Sequence, residues 1–301
     1  MNGFTFSIPQ NIIFGKGSLK QLPEAAKKLN KSKALIISGP HLNKIGMVAA
    51  CRQALEEAGI RSDAFTETEG NPSTETVDRA VERYKESGAD FIVAFGGGSP
   101  LDVAKAVAVL ATYGGKITEY EGGGKVPGPV VPMIAVPTTA GTGSETTIAA
   151  VVTGSDHHKY AINDLCLIPQ AAVLDPALSA SLPQDVTAQT GMDALTHAVE
   201  AYIGRFYNTA ETRRMAERAV AGIFRHLPEV CRDGGNLGAR QAMLAASYQA
   251  GFAFTRAGVG NVHAIAHTLG GLYDVGHGLA NAVLLPVVLE DYGPAVYRRL
   301  A

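Results

Sequence analysis

Residues 91–110, FIVAFGGGSPLDVAKAVAVL, read as three features in immediate succession. Phe91 to Phe95 form an uncharged apolar run, the pattern of a strand buried on both faces. Gly96-Gly97-Gly98-Ser99 make a glycine-rich turn, and Pro100 opens a helix, where its missing N–H goes unneeded. Glycines let the backbone approach a ligand closely, and the free N–H groups and dipole of a helix start favour phosphate. Leu101 stands where the usual dinucleotide fingerprint has its third glycine, so the loop alone also fits a plain structural turn.

Outward from this stretch the same alternation repeats. Apolar runs at 34–37, 63–65, 133–136 and 171–174 are separated by helix patterns at 42–58, 74–87 and 99–112. Short buried strands between longer helices predict βαβ units and a parallel sheet. Ser73 or Thr74 suits a helix cap, and Gly59 and Gly88 suit helix ends. After about residue 180 the strands stop. Alanine- and leucine-rich patterns at 184–203, 208–227, 238–256, 261–272 and 277–290 predict an all-helical second part. The expected organisation is an α/β Rossmann-like domain over 1–180 and an all-α domain over 181–301.

The 301 residues carry 46% hydrophobic and 18% charged side chains, which excludes a disordered chain and suits two domains with sizeable cores. Lys plus Arg (26) against Asp plus Glu (28) leave a net charge of −2 with no basic stripe, so nucleic acid and anionic membrane are poor partners. Cys51, Cys166 and Cys231 are too few and too scattered for a disulfide framework or a cysteine–zinc site and read as reduced thiols. No secretory signal is evident in MNGFTFSIPQNIIFG, and no apolar stretch approaches membrane-spanning length. A soluble, cytoplasmic protein is expected.

A second loop shares the character of the first. Pro137-Thr138-Thr139-Ala140-Gly141-Thr142-Gly143-Ser144-Glu145 follows a predicted strand and offers N–H and hydroxyl donors to a phosphate or polyol. Loops after parallel strands gather on one sheet edge, so the two can face one ligand. In the helical half, Asp193 and His197 lie one turn apart, as do His263 and His267, with His277 beyond. One carboxylate and several imidazoles in apolar surroundings suit Fe(II), Zn(II) or another first-row divalent ion. Spacing alone leaves open which of the three later histidines is not a ligand. His157 and His158 read as surface residues, His226 as a helix-end residue, and the aromatics near 202–207 and 248–254 as core.

These motifs together resemble the iron-containing (group III) alcohol dehydrogenases: Asn71-Pro72, GGGSPLDVAKA, PTTAGTGSE, Asp175-Pro176, GMDALTHAVEAY and GVGNVHAIAHTLGG followed by GHGLANAVLLP. The resemblance spans essentially the whole chain. It implies a cleft between the two domains and hydride transfer between a nicotinamide and a small alcohol or aldehyde at a divalent metal. It assigns the metal to Asp193, His197, His263 and His277 and leaves His267 unliganded beside the nicotinamide as a catalytic proton carrier. The implied cofactor contacts are Gly97, Gly98 and Ser99 at the pyrophosphate, with Asn71, Asp102, Thr138, Thr139, Ser144 and Lys159 around the rest. Homo-oligomers are usual in the family. Related readings are a glycerol dehydrogenase, a dehydroquinate synthase-like enzyme, or an inactive cofactor-binding fragment.

Two departures stand out. Family members run longer at the C-terminus, so this chain is expected to lack helices that help to close the cleft. Many NAD-using members also carry an aspartate at the end of the first βα strand, where this chain reads Ser38-Gly39-Pro40. Gly39 leaves room there for a 2′-phosphate, which favours NADP slightly over NAD.

Overall fold

A computed structural model describes residues 11–300. The reading of the first residues as lacking a secretory signal falls largely outside them. Every residue of the strand Phe91–Gly96 is buried, as its uncharged sequence requires, and it lies in the interior of a six-stranded parallel sheet. In chain order the elements up to that point are β1 (Asn11–Phe14), α1 (Leu22–Lys28), β2 (Lys33–Ile37), α2 (Pro40–Lys44), α3 (Met47–Glu56), β3 (Arg61–Phe65), α4 (Thr74–Ser87) and β4, the strand just named. Then come α5 (Gly98–Tyr113), β5 (Gly122–Gly123), β6 (Met133–Pro137), β7 (Ala149–Thr153), β8 (Lys159–Asn163) and β9 (Ala171–Leu174).

The large sheet has the order β1-β9-β6-β4-β2-β3. Its two faces bury alternate residues of the same strands. Leu35, Ile37, Ile92 and Ala135 pack under α4 and α5 with Val77, Leu101 and Val107. Ala34, Ile36, Val93 and Ile134 pack under α1 and α3 with Leu22, Val48 and Leu55. This is a doubly wound sheet, and its chain order reverses between β2 and β4, where such sheets bind ligands at the strand C-termini. The register pairs Gly96 with Pro137, so the two glycine-rich loops leave the sheet side by side.

From Gln184 onward the described elements are helices: α6 (Gln184–Ile203), α7 (Ala210–Arg232), α8 (Leu237–Ala257), α9 (Asn261–Tyr273), α10 (His277–Tyr292) and α11 (Pro294–Leu300). Ala198, Ala201, Ala216, Ala219, Ala250 and Ala253 form one buried cluster, so the alanine richness lets α6, α7 and α8 approach closely. Among the described residues no single helix is long and apolar enough to cross a membrane.

Several local expectations change. α5 starts at Gly98 rather than Pro100, because the first-turn N–H groups need no intrahelical partner and proline is tolerated among them. The helix expected over 42–58 breaks at Gly46, whose φ of 81° suits glycine. α7 continues past Pro228 to Arg232: the carbonyl left without a donor belongs to the exposed Phe224, and His226 is therefore not at the helix end. β7 and β8 form an antiparallel hairpin beyond the strands expected from the apolar runs. Cys51 is buried, its thiol pushed up to about 12 by burial, while Cys166 and Cys231 are half-buried; all three are free.

The α/β part meets the helical part glycine on glycine. Gly143, in the loop after β6, lies so near Gly251 of α8 that a β-carbon on Gly251 would stand 2.7 Å from the Gly143 carbonyl oxygen. Gly251→Ala should therefore cost about 1–3 kcal/mol through overpacking, more than its gain in helix propensity of up to about 1 kcal/mol. Thermal unfolding should show a lower midpoint. An unchanged or raised midpoint would mean that the contact is loose.

Candidate metal and cofactor site

Asp193 and His197 face the same way from α6, His263 comes from the first turn of α9, and His277 is the first residue of α10. The three helices bring one potential ligand atom from each of the four residues within 4.8 Å of one another. Asp193, His197 and His263 are buried, whereas the His277 side chain is partly open to the cleft. A tetrahedral site with bonds of about 2.1 Å places its ligands about 3.4 Å apart. Here Asp193 Oδ1 lies 3.3 Å from His277 Nε2 and 3.7 Å from His263 Nε2. Buried ring nitrogens Nδ1 of His197 and His277 find no hydrogen-bond partner among the described residues. The donor set fits a first-row divalent ion. His267 is not among the four whose ligand atoms converge, although its ring centre lies only 5.1 Å from that of His277.

The charges of this cluster are interlocked. Burial alone would raise the Asp193 carboxyl, but His197 and His277 beside it hold it well below the usual carboxylate range. Burial pushes His197 down to about 3 despite Asp193. His263 is raised to about 9, because its bonds to Asp193 and Glu200 overcome the burial penalty. Asn281, fully buried on α10, donates from Nδ2 to Asp193 Oδ1 at 2.7 Å and stands 3.3 and 3.2 Å from Nε2 of His263 and His277. One amide nitrogen thus stands beside a carboxylate oxygen and two ring nitrogens at the point where the proposed ligands converge. His197 is held flat between Phe254 and His263, with ring centres 4.2 and 4.3 Å away.

One cleft of about 550 Å³ joins this cluster to the glycine loop. Its lining runs from Gly98, Ser99 and Asp102 past Ser144, Lys159 and Asn71 to His197, His263, His267 and His277. The other expected cofactor contacts lie off it. Thr138 is buried, its N–H bonded to the Gly96 carbonyl, so it ties the two loops together. Thr139 packs against Gly97, where a β-carbon would come within 3.3 Å of it. Gly39 stands at the end of β2, beside the Thr68 carbonyl. Gly98 is squeezed by Thr142, 2.6 Å from where its β-carbon would be, so substitution there disturbs the protein as well as any ligand.

The loop after β6 is organised by Lys105, which the sequence reading did not single out, together with Asp102. Lys105 of α5 is 1% exposed, and its Nζ reaches oxygens of Ser144, Thr147 and Ala149 at 2.7–3.0 Å. Asp102 accepts from Ser144 Oγ (3.1 Å) and from the Val151 N–H (3.2 Å), binding α5 to the loop and to β7. Burial raises Asp102 to about 6, with Lys105 opposing, and burial lowers Lys105 to about 8. A lysine within VAKAVAVL, a helix apolar on nearly every side, was the available signal. Across the cleft mouth Lys159 Nζ donates to Asn71 Oδ1 (2.9 Å), and Asn71 Nδ2 donates to Asp274 Oδ1 (2.8 Å), joining β8 to the end of α9.

Burial, with His277, His263 and Lys159 around it, pushes His267 down to about 3, so it stands neutral near pH 7. His157 and His158 are exposed, as expected. The aromatic expectation fails in part: Phe206 is 90% exposed, while Phe254 packs against the alanine cluster and also lines the cleft.

The sequence profile of the iron-containing alcohol dehydrogenases matches residues 9–176, and that of the C-terminal part of the Fe-containing alcohol dehydrogenase family matches residues 187–301. The NAD-dependent methanol dehydrogenase of Bacillus methanolicus is 39% identical over 284 residues, covering 94% of this chain and 74% of the relative. The 1,3-propanediol dehydrogenase of Citrobacter freundii is 41% identical over 288 residues, covering 95% and 74%. The crystal structure of a 1,3-propanediol oxidoreductase superposes with a TM-score of 0.93 at 40% identity, over 96% of this chain and 76% of that one. The alcohol dehydrogenase from Oenococcus oeni does so with the same TM-score at 37% identity, over 96% and 76%. With both halves matched and the Asp-His cluster lying at the end of the glycine-loop cleft, the chain belongs to the iron-containing alcohol dehydrogenase family.

Proposed function

We propose that this chain interconverts small alcohols and aldehydes with a nicotinamide cofactor, at a divalent metal, iron foremost, held by Asp193, His197, His263 and His277. The observation that carries this reading is the single cleft running from a helix N-terminus suited to pyrophosphate to a four-residue donor set. The substrate class follows from the relatives, whose names specify methanol and 1,3-propanediol. Two domains meeting near residue 180 fit this arrangement, since the two family profiles leave only 177–186 between them.

When bound, the ion supplies Lewis-acid polarisation of the substrate oxygen and the nicotinamide supplies hydride exchange. The chain's own residues position both. Gly98, Ser99 and the first turn of α5 present backbone N–H groups to phosphate. Lys105 and Asp102 hold the opposite wall rigid, so little ordering remains to be done on binding. Ile148, Phe254 and Val259 line the cleft with apolar surface that excludes water from the reacting carbon. His267, which lines the cleft beside the donor set, stands where a ring nitrogen can relay the alcohol proton between substrate and solvent.

At the adenosine corner no carboxylate follows β2, and exposed Asn43 and Lys44 stand on α2 behind Gly39. Ser38, by contrast, is fully buried and is no surface donor. We read this corner as accepting NADPH and favouring it slightly over NADH.

His277→Ala should abolish stoichiometric metal and nearly all activity. His267→Ala should retain the metal and lose rate by roughly 10²- to 10⁴-fold, the usual worth of a general acid–base group. Metal analysis of the two purified proteins decides: tight metal in His277→Ala, or metal loss in His267→Ala, overturns the ligand assignment.

Gly39→Asp should lower kcat/KM for NADPH relative to NADH by about tenfold or more, since like-charge repulsion there is worth on the order of 1–3 kcal/mol. A parent that strongly prefers NADH, with no response to the new carboxylate, refutes the cofactor reading.

A further inference from the structure

Glu200 lies on α6 seven residues after Asp193 and three after His197, so all three point from one face of the helix. Its side chain is 1% exposed, and its two oxygens accept three bonds, all from the start of α9. Oε1 takes the Val262 N–H at 2.7 Å. Oε2 takes the Gly260 N–H at 2.8 Å and faces His263 Nδ1 at 2.6 Å. With acceptor oxygens on that side, the Nδ1 of His263 is the donor, which leaves its Nε2 turned toward Asp193 and the convergence point. Gly260 makes room for this arrangement: a β-carbon there would stand 2.7 Å from Glu200 Oε1.

We propose that Glu200 is a positioning residue for the metal centre, which fixes the orientation and donor atom of His263 by bonding its ring and the first turn of α9 together. This rests on the metal reading of the cluster. The carboxylate does two jobs through one group, engaging Nδ1 so that Nε2 is the ring atom turned to the metal position and fixing the backbone from which that ring projects. A side chain bearing one oxygen and one amide nitrogen cannot do both. Whichever way the amide of Glu200→Gln lies, a donor faces either the Val262 N–H or the pair formed by His263 and Gly260.

The test is Zn²⁺ affinity, measured by competition with a chromophoric chelator, on the full-length parent, Glu200→Gln, Gly260→Ala and His277→Ala. Melting of each metal-free protein is recorded alongside. Gly260 has φ of −121°, which alanine adopts freely, so its variant displaces the carboxylate without backbone strain and remains informative if Glu200→Gln does not fold. The expected result is one Zn²⁺ per parent chain and 10- to 100-fold weaker binding in both Glu200→Gln and Gly260→Ala, about the worth of a group that orients a ligand. Unchanged Zn²⁺ affinity in these variants, whether or not melting falls, overturns the proposal and assigns Glu200 a purely structural role. If the parent itself binds no Zn²⁺, or His277→Ala binds it equally well, the metal reading fails and this inference fails with it.

Discussion

The arrangement depends first on a carboxylate that has been taken out of water. Asp193 is 3% exposed, and its neighbours are three imidazoles and an amide. Removing such a group from solvent costs several kcal/mol unless charge and hydrogen bonds compensate. Compensation comes from α6, α9 and α10 converging on one point, so the need to satisfy Asp193 and the geometry of the donor set are the same constraint. Glu200 repeats the pattern two turns further along α6, where it is satisfied by the start of α9.

The cofactor side follows a complementary rule. The parallel sheet places the loops after β4 and β6 next to each other, and glycine permits the backbone to come close. Such loops are floppy unless something holds them. Lys105, buried under the second loop, reaches both a backbone carbonyl and a hydroxyl of Ser144 and of Thr147. The Gly143–Gly251 contact then presses that loop against α8, whose Phe254 stacks on His197. Phosphate cradle and donor set are thereby parts of one packed unit, and a change in either is felt at the other.

Much of this was legible in the residues. The alternation of buried strands and helices announced the parallel sheet, because interior strands covered on both faces, such as Phe91–Gly96, read as unbroken apolar runs. The one-turn spacing of Asp193 and His197 announced a shared helix face. Other features were hidden by the limits of local pattern. The β7–β8 hairpin has the period-two alternation of a half-buried sheet, but its strands fall between stronger signals. His263 and His277 could not be told from His267 by spacing, since the choice depends on how α9 and α10 pack against α6. Lys105 stood out only as a lysine in an apolar helix and Glu200 not at all, because their partners lie tens of residues away in the chain. Phe254 read as core because stacking on a histidine at a cleft wall leaves the same apolar signature.

The most direct measurement is anomalous diffraction at the iron edge from crystals of the Fe²⁺-loaded protein. The expected result is one peak per chain within about 2.0–2.2 Å of an Asp193 oxygen and of a ring nitrogen from each of His197, His263 and His277, with His267 outside the coordination sphere. A peak that includes His267 in place of one of these ligands, a peak at another group of residues, or no peak in the cleft would contradict it.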